Sequence, residues 1–307
     1  AASYTNLGSL YGSMQRYEES EIYHKKAINI LKDLKEIRKS LSDMSSLARV
    51  YINIGVLYTS LHRYDEAENY YRQALEIYID LKESHRSFSY LPDLAVLYGY
   101  LGNLFSSKRR YDQAERYYKK SIALSEQIRE SSDYSYDKLI NLANSYSGMG
   151  NLYNSIGKYD KAEEYLKKAI SLGEDIYKNI KIYIINEIIA NSSNVLSNIF
   201  FRKNKLDQAK TYLNKSIKHT KILAKEDKDL KNMTLLAANY YFLGTLYADS
   251  NEKKTEKYML ESIRILEDLY AKSPDGRIFK KLIMICDDLA FYYESRGKHK
   301  KAENCRK

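Results

Sequence analysis

A block of six residues returns about every 47 positions along the whole chain: Asn6-Leu7-Gly8-Ser9-Leu10-Tyr11 comes back at 53–58, 100–105, 148–153, 195–200, 242–247 and 288–293. Self-similarity at this period means one supersecondary unit copied about seven times, each copy burying its apolar face against its neighbours rather than in a common centre. A length of 307 residues would otherwise suggest two domains. The repeat predicts instead a single array over 1–307, with units near 1–39, 40–86, 87–133, 134–180, 181–226, 227–272 and a shorter 273–307. The missing initial Met and the short last unit predict a piece of a longer protein.

Two columns of small residues flank a polar turn in each unit. The first is Gly8, Gly55, Gly102, Gly150, Ser197, Gly244 and Ala290; the second is Ser20, Ala67, Ala114, Ala162, Ala209, Thr255 and Ala302. A third follows at Ala27, Ala74, Ser121, Ala169, Ser216 and Ser262. Glycine inside a helix costs about 1 kcal/mol relative to alanine, so its recurrence at one slot predicts two helices crossing closely there. Large side chains at helical spacing surround the columns, such as Leu47, Tyr51, Ile54 and Tyr58 before the turn and Tyr70, Leu75, Ile77 and Leu81 after it. Two prolines and twelve glycines in the whole chain leave long helices uninterrupted. The expected fold is all-α, about seven antiparallel helix pairs stacked as an α-α superhelix, the second pair near Asp43 to Leu61 and Tyr64 to Glu83. Pro92 falls near a helix start, and Ser273-Pro274 reads as an N-cap followed by proline at the first helical position. Ser193 and Ser197 in the fifth unit, and a turn one residue shorter in the sixth with Glu252 where other units place Tyr, predict the least regular packing there.

The run Leu47-Ala48, Tyr51, Ile54-Gly55, Tyr58, Tyr64-Asp65-Glu66-Ala67 and Ala74 resembles the tetratricopeptide-repeat signature, and Gly8, Tyr11, Ser20 and Ala27 match it again in the first unit. Here the unit exceeds the family's 34 residues by about thirteen. Tryptophan is absent, its slot carrying Tyr4, Tyr51, Tyr98, Tyr146, Ser193, Tyr240 and Cys286. Armadillo and HEAT repeats share the longer period but lack this pattern of columns. Tyr90-Leu91-Pro92-Asp93-Leu94-Ala95 is similar to the extended-repeat subtype of large bacterial and archaeal signalling proteins. The resemblance implies a right-handed superhelix that holds a protein or peptide segment in a concave groove lined by the first helices. Some relatives grip C-terminal carboxylates with a lysine-asparagine clamp; the clamp lysine slots hold Thr5, Ile52, Gly99, Ser147, Asn194, Tyr241 and Asp287, so that specificity does not transfer.

On those first helices Asn103, Asn151 and Asn198 occupy one slot in three successive units, with Asn144, Asn154, Asn191 and Asn194 close by. An amide both donates and accepts, which suits the backbone of an extended peptide whatever its side chains; the competing reading is a merely solvated face. Tyr241 joins these as an aromatic at the groove, with Tyr100 and Phe242 near it. Other tyrosines, including Tyr23, Tyr70, Tyr117, Tyr165, Tyr212 and Tyr258, recur in one column and are expected to pack.

Charge offers a second candidate. The chain carries +10 net, and residues 200–231 hold ten Lys or Arg against four acids. An acidic partner or nucleic acid could use them. A solvated outer face of lysines is the favoured reading. The five histidines, His24, His62, His85, His219 and His299, are scattered, and no nucleophile-base set or phosphate loop accompanies them, so no enzyme, cofactor or metal is expected. Cys286 and Cys305 sit in aromatic or apolar columns and read as inert thiols compatible with a cytoplasmic location. With no apolar run long enough to span a bilayer, no membrane partner is expected. Sequence leaves three functional readings: a protein-interaction module, the sensor arm of a larger signalling ATPase or protease, and, more weakly, acidic-partner or nucleic-acid binding through 200–231. Apolar end faces leave end-to-end self-association open.

Overall fold

The computed structural model describes residues 1–38, 40–84, 90–130, 135–226 and 230–306. His85 and Lys228 of the residues singled out above lie outside these. Among the described residues the seven expected pairs are fourteen helices and no strand: α1 (Ala2–Ser13) with α2 (Tyr17–Arg38), α3 (Leu41–Ser60) with α4 (Tyr64–Ser84), α5 (Leu91–Ser107) with α6 (Tyr111–Glu130), α7 (Tyr136–Ser155) with α8 (Tyr159–Asn179), α9 (Tyr183–Arg202) with α10 (Leu206–Glu226), α11 (Leu230–Tyr247) with α12 (Glu252–Lys272), and α13 (Gly276–Ser295) with α14 (His299–Arg306). The thirteen extra residues per repeat are helix: α4 and α8 each run 21 residues. The chain forms two compact units, Ala1–Leu152 and Tyr153–Lys307. Within the first, α2 packs on both α1 and α3, and α4 on both α3 and α5; within the second, α10 packs on α9 and α11, and α12 on α11 and α13.

The glycine column is explained by one side chain from the second helix of the same pair. A Cβ placed on Gly55 would lie 2.4 Å from the Tyr71 ring, on Gly102 2.6 Å from Tyr118, on Gly8 2.7 Å from His24 and on Gly244 2.8 Å from Met259. Each of these side chains stands four residues after the small residue of the second column, so one helical turn sets both contacts. Tyr118 is held from two sides, since Gly148 of the next pair also approaches its ring within 2.5 Å of an added Cβ. The second column supplies the closest backbone approach: Ala67, Ala114, Ala162 and Ala209 are fully buried. Where a hydroxyl replaces hydrogen or methyl, it bonds across the crossing. Ser20 Oγ donates to the Gly8 carbonyl at 2.7 Å, and Ser197 Oγ donates in the opposite sense to the Ala209 carbonyl at 2.9 Å. Of the two serines that mark the fifth pair, Ser197 is fully buried and bonded at this crossing, whereas the buried Ser193 hydroxyl has no hydrogen-bond partner among the described residues. Serines of the third column act likewise, Ser121, Ser216 and Ser262 donating to the carbonyls of Ala95, Ala190 and Ala237 at 2.7 to 2.8 Å.

Aromatic residues flank the crossing. Tyr70 faces both Tyr51 and Tyr58, Tyr23 faces Tyr4 and Tyr11, Tyr117 faces Tyr98 and Phe105, and Tyr258 faces Tyr240 and Tyr247, with ring centroids 5.3 to 6.1 Å apart. The recurrent tyrosines are therefore packing residues, as expected.

Six of the seven turns share one geometry. A residue in the left-handed region follows the first helix, at Gln15, His62, Arg109, Gly157, Asn204 and Gly297. The next residue's N–H reaches back five positions to a carbonyl, as Arg63 does to Tyr58 at 2.8 Å, while His62 N–H bonds to Thr59 at 3.0 Å. This is the Schellman pattern, which satisfies carbonyls the helix end would leave unpaired. Only two of the six positions are glycine, so the turn was not legible as such. The sixth turn, one residue shorter between its two columns, uses another device, the Asn251 side chain accepting from Lys254 N–H at 3.0 Å to cap α12. Pro92 does stand in the first turn of α5. Ser273-Pro274, however, is not the start of α13: Ser273 ends α12, and Asp275 caps α13 by accepting from Arg277 N–H at 2.7 Å. A carboxylate at that position also complements the helix dipole, which a serine hydroxyl does not.

Two substitutions test the crossing and one tests the turn. Gly55→Leu is expected to cost about 1 to 3 kcal/mol by overpacking against Tyr71, whereas Lys221→Ala, which removes a cation over the Tyr240 ring, costs less than about 1 kcal/mol. Equal losses in urea denaturation would refute the column assignment. Arg109→Gly relieves a left-handed side chain and is expected to gain about 0.5 to 1 kcal/mol in the same measurement.

Candidate functional site

The crossing turns one stripe of each first helix toward its partner and leaves another outward. In the first unit that outward stripe carries Asn103, Asn144 and Asn151, all exposed. Asn103 is positioned by the packed ring beneath it: Tyr118 OH donates to Asn103 Oδ1 at 2.6 Å. With its oxygen engaged, the amide presents its N–H groups to solvent. Tyr100, half-buried on α5, stacks on Tyr71 at 6.1 Å and is partly a packing residue. On α1 and α3 the stripe is made of small residues, and a cavity of about 320 Å³ opens there, lined by Ser9, Ser13, Ser20, His24, Asn53 and Tyr100 among others.

In the second unit the asparagines divide. Asn198 is exposed and donates to the Asn194 carbonyl of its own helix at 3.0 Å, which leaves its Oδ1 outward. Asn194 belongs instead to the packing: its amide donates to Asn239 at 2.5 Å, Asn239 donates to Ser216 at 2.9 Å, and Ser216 donates to the Ala190 carbonyl. Asn239 is wholly buried, so this chain of donors ties α9, α10 and α11 together. Asn191 and Asn154 are half-buried. Tyr241 spans two pairs by donating to Asp288 at 2.5 Å; burial and that carboxylate push its hydroxyl up to about 12. The eight residues thus fall into three on the first unit and five on the second, and Asn194 and Tyr241 are committed to contacts between helix pairs.

On the second unit sequence reasoning placed Phe242 near the groove but missed the exposed rings of Phe201 and Phe291. Phe201 is 47% exposed and meets Phe242 edge to face at 5.4 Å. Phe291 of α13 is 71% exposed. The signal was present: Phe201 occupies a slot that holds Gly12, Thr59, Ser106, Asn154 and Ala248 in other repeats. An apolar ring where repeats carry small or polar residues is not needed by the crossing.

Part of the basic stretch is paired with acids within the unit. Lys203 bonds Asp160 and Glu163 at 2.8 and 2.7 Å, Lys215 pairs with Glu174 at 2.6 Å, and Lys231 with Glu187 at 2.5 Å. Lys210 and Lys221 lie 4.6 and 5.3 Å from the Tyr247 and Tyr240 ring centroids. Lys203 repeats the role of Lys108, which bonds Asp65 and Glu68 at 2.7 Å each. Burial would raise the Glu68 carboxyl, but Lys108 and Arg72 outweigh it and hold Glu68 below the ordinary range. These cations clamp one pair to the next. Among the described residues no helix is long and apolar enough to cross a membrane.

The chain matches models of the tetratricopeptide repeat over residues 1–80 and 93–175, and a second such model over 190–218. No curated protein sequence matches it. Among solved structures it is similar to aspartyl phosphate phosphatase F from Bacillus subtilis (21% identity, 97% of this chain and 66% of that one, TM-score 0.60). It is also similar to a Rap protein complexed with competence and sporulation factor (14%, 99% and 72%, TM-score 0.58) and to the S. pombe nuclear import adaptor Nro1 (10%, 92% and 97%, TM-score 0.61). At these identities the likeness is one of fold, an all-α helical-repeat solenoid.

Two buried imidazoles give the packing behind the stripe a pH dependence. His24, 2% exposed, lies against Gly8 with Nδ1 unpaired, and His219 shares a 2.8 Å hydrogen bond with Asn186. Burial lowers each to about 4. An unfolded histidine titrates near 6.5, so between these values the unfolded chain binds more protons; stability is full above about pH 6.5 and falls as pH drops toward 4. Replacing His24 by leucine, the residue of the same slot at 166 and 213, is expected to keep or raise the melting temperature at pH 7 and to flatten its decline below pH 6. An unchanged decline would show that His24 does not titrate in the unfolding step.

Proposed function

Since the chain belongs to the tetratricopeptide-repeat family, we propose that it is an interaction module that holds a protein or peptide segment along the outward stripe of its first helices. The observation that carries this reading is the composition of that stripe: exposed amides at Asn103, Asn144 and Asn151 on the first unit, and on the second the exposed amide of Asn198 with the exposed rings of Phe201 and Phe291. Amides fit the repeating donors and acceptors of an extended backbone, and rings supply the few anchors that dominate binding energy. Asn194 and Tyr241 act mainly by fixing the helices that carry these groups, and the half-buried Asn154 and Asn191 contribute to the stripe at its edge. The solved Rap complex with competence and sporulation factor supports the reading, because there a protein of this fold holds another molecule. As a piece of a signalling protein the module would serve as its sensing arm, by the same contacts. Paired lysines in 200–231 weigh against nucleic acid as the partner.

The test is capture of a partner from the source organism's lysate at low and moderate salt, followed by affinity measurement with variants. Phe201→Ala with Phe242→Ala is expected to weaken the captured partner about thirtyfold or more, and Asn151→Ala with Asn198→Ala to weaken it by a smaller factor, both with unchanged helicity. Lys221→Ala should bind as the parent does. A partner lost on raising salt and indifferent to all four stripe substitutions would overturn the proposal.

A further inference from the structure

The seventh pair departs at one contact from four of the others. Four residues before the first-column residue, and three after the second-column residue, four pairs place rings that meet: Tyr4 with Tyr23, Tyr51 with Tyr70, Tyr98 with Tyr117 and Tyr240 with Tyr258, centroids 5.9 to 6.1 Å apart, whereas the fifth carries Ser193 in the first of these slots. Counted from Ala290 and Ala302, the same two slots of the seventh pair are Cys286 on α13 and Cys305 on α14. The only two cysteines of the chain therefore replace, one each, the two partners of a recurring cross-helix contact. Both thiols are free and half-buried, and both line one open cavity of about 900 Å³ between α12, α13 and α14, with Leu260, Phe279 and Ile283.

From this placement we infer that Cys286 and Cys305 form a thiol-modification site, which closes to an intramolecular disulfide by exchange with a low-molecular-weight disulfide and thereby pins α14 to α13. Cys305 attacks first. It is the less enclosed in charge, with Arg306 and Lys301 favouring its thiolate against burial and Glu256, whereas burial, Cys305, Glu267 and Asp287 all disfavour that of Cys286. The Cys305 thiolate displaces one thiol from the small disulfide and carries the other half as a mixed disulfide. Cys286, deprotonated, then attacks the Cys305 sulfur and expels the second thiol. Two protein thiols and one small disulfide become one protein disulfide and two small thiols, with no electron unaccounted for. Burial holds both thiols above the ordinary range, so the rate rises with pH through and beyond it. The consequence is local: α14 spans only 8 residues and is held from outside the crossing by ion pairs of Lys298 with Glu252, Lys301 with Glu256 and Arg306 with Glu294. A covalent tie at its far end fixes the wall of the cavity.

Incubating the reduced full chain with oxidised glutathione at pH 8.5 and reading intact mass and peptide maps tests this. The expected product is lighter by two hydrogens, monomeric, and links the peptides containing residues 286 and 305; amide exchange in 299–306 slows about tenfold or more. Cys286→Ser should stop at one glutathione on Cys305, and Cys305→Ser should react more slowly. Two glutathione adducts on the parent chain, a disulfide between two chains, or thiols that stay unreacted while the urea-unfolded chain reacts would each overturn the proposal.

Discussion

One contact organises four of the helix pairs: a large side chain of the second helix seated against a glycine of the first. Tyr71 on Gly55 and Tyr118 on Gly102 bring the helix axes as near as the ring allows, and the alanine four residues earlier closes the other end of the same turn. The two slots constrain each other, because a methyl group on the glycine would collide with the ring before the alanine reached its partner. Dispersion and burial at this crossing require no residue from a distant part of the chain. Within each compact unit nearly independent crossings can therefore stack.

Stacking the pairs then depends on what the crossing leaves over. Hydroxyls of Ser121, Ser216 and Ser262 satisfy carbonyls inside each pair, while Tyr118 between Gly102 and Gly148, and Asn239 between Asn194 and Ser216, reach into the next. At the outer rim Lys108 and Lys203 bind carboxylates of the preceding pair. Their charge is consumed in holding register, so these lysines of the surplus are not available to a partner. The same stacking points the remaining face of the first helices outward, where amides and phenylalanines have no part in the crossing.

Deviations from the repeat fall into two kinds. Ser197 for glycine and Asn251 for a left-handed turn residue preserve the architecture by other hydrogen bonds. Phe201, Phe291 and the pair Cys286 and Cys305 contribute nothing the architecture asks for. A substitution the fold does not require is where selection for something other than folding becomes visible, and these residues lie on open faces or cavities of the second unit.

Much of this was legible without coordinates. Period, helix pairing, the small-residue columns and the packing role of the tyrosines follow from spacing alone, because contacts within one pair lie only about a dozen residues apart and repeat. Residue spacing could not say which side chain fills the glycine slot, since that depends on where the second helix crosses. Nor could it separate Asn194 from Asn198: both are amides on one helix, and only the approach of Asn239 from the next pair makes one a packing residue while the other stays outward. The left-handed turn at Gln15, His62, Arg109 and Asn204 was hidden because no glycine marks it, and the cap of α13 was misplaced by the proline beside it. By itself the sequence determined the architecture, a property of local periodic packing; tertiary structure alone decided which polar and charged groups remain available to a partner, because hydrogen bonds and ion pairs between successive repeats consume some of them and leave the rest.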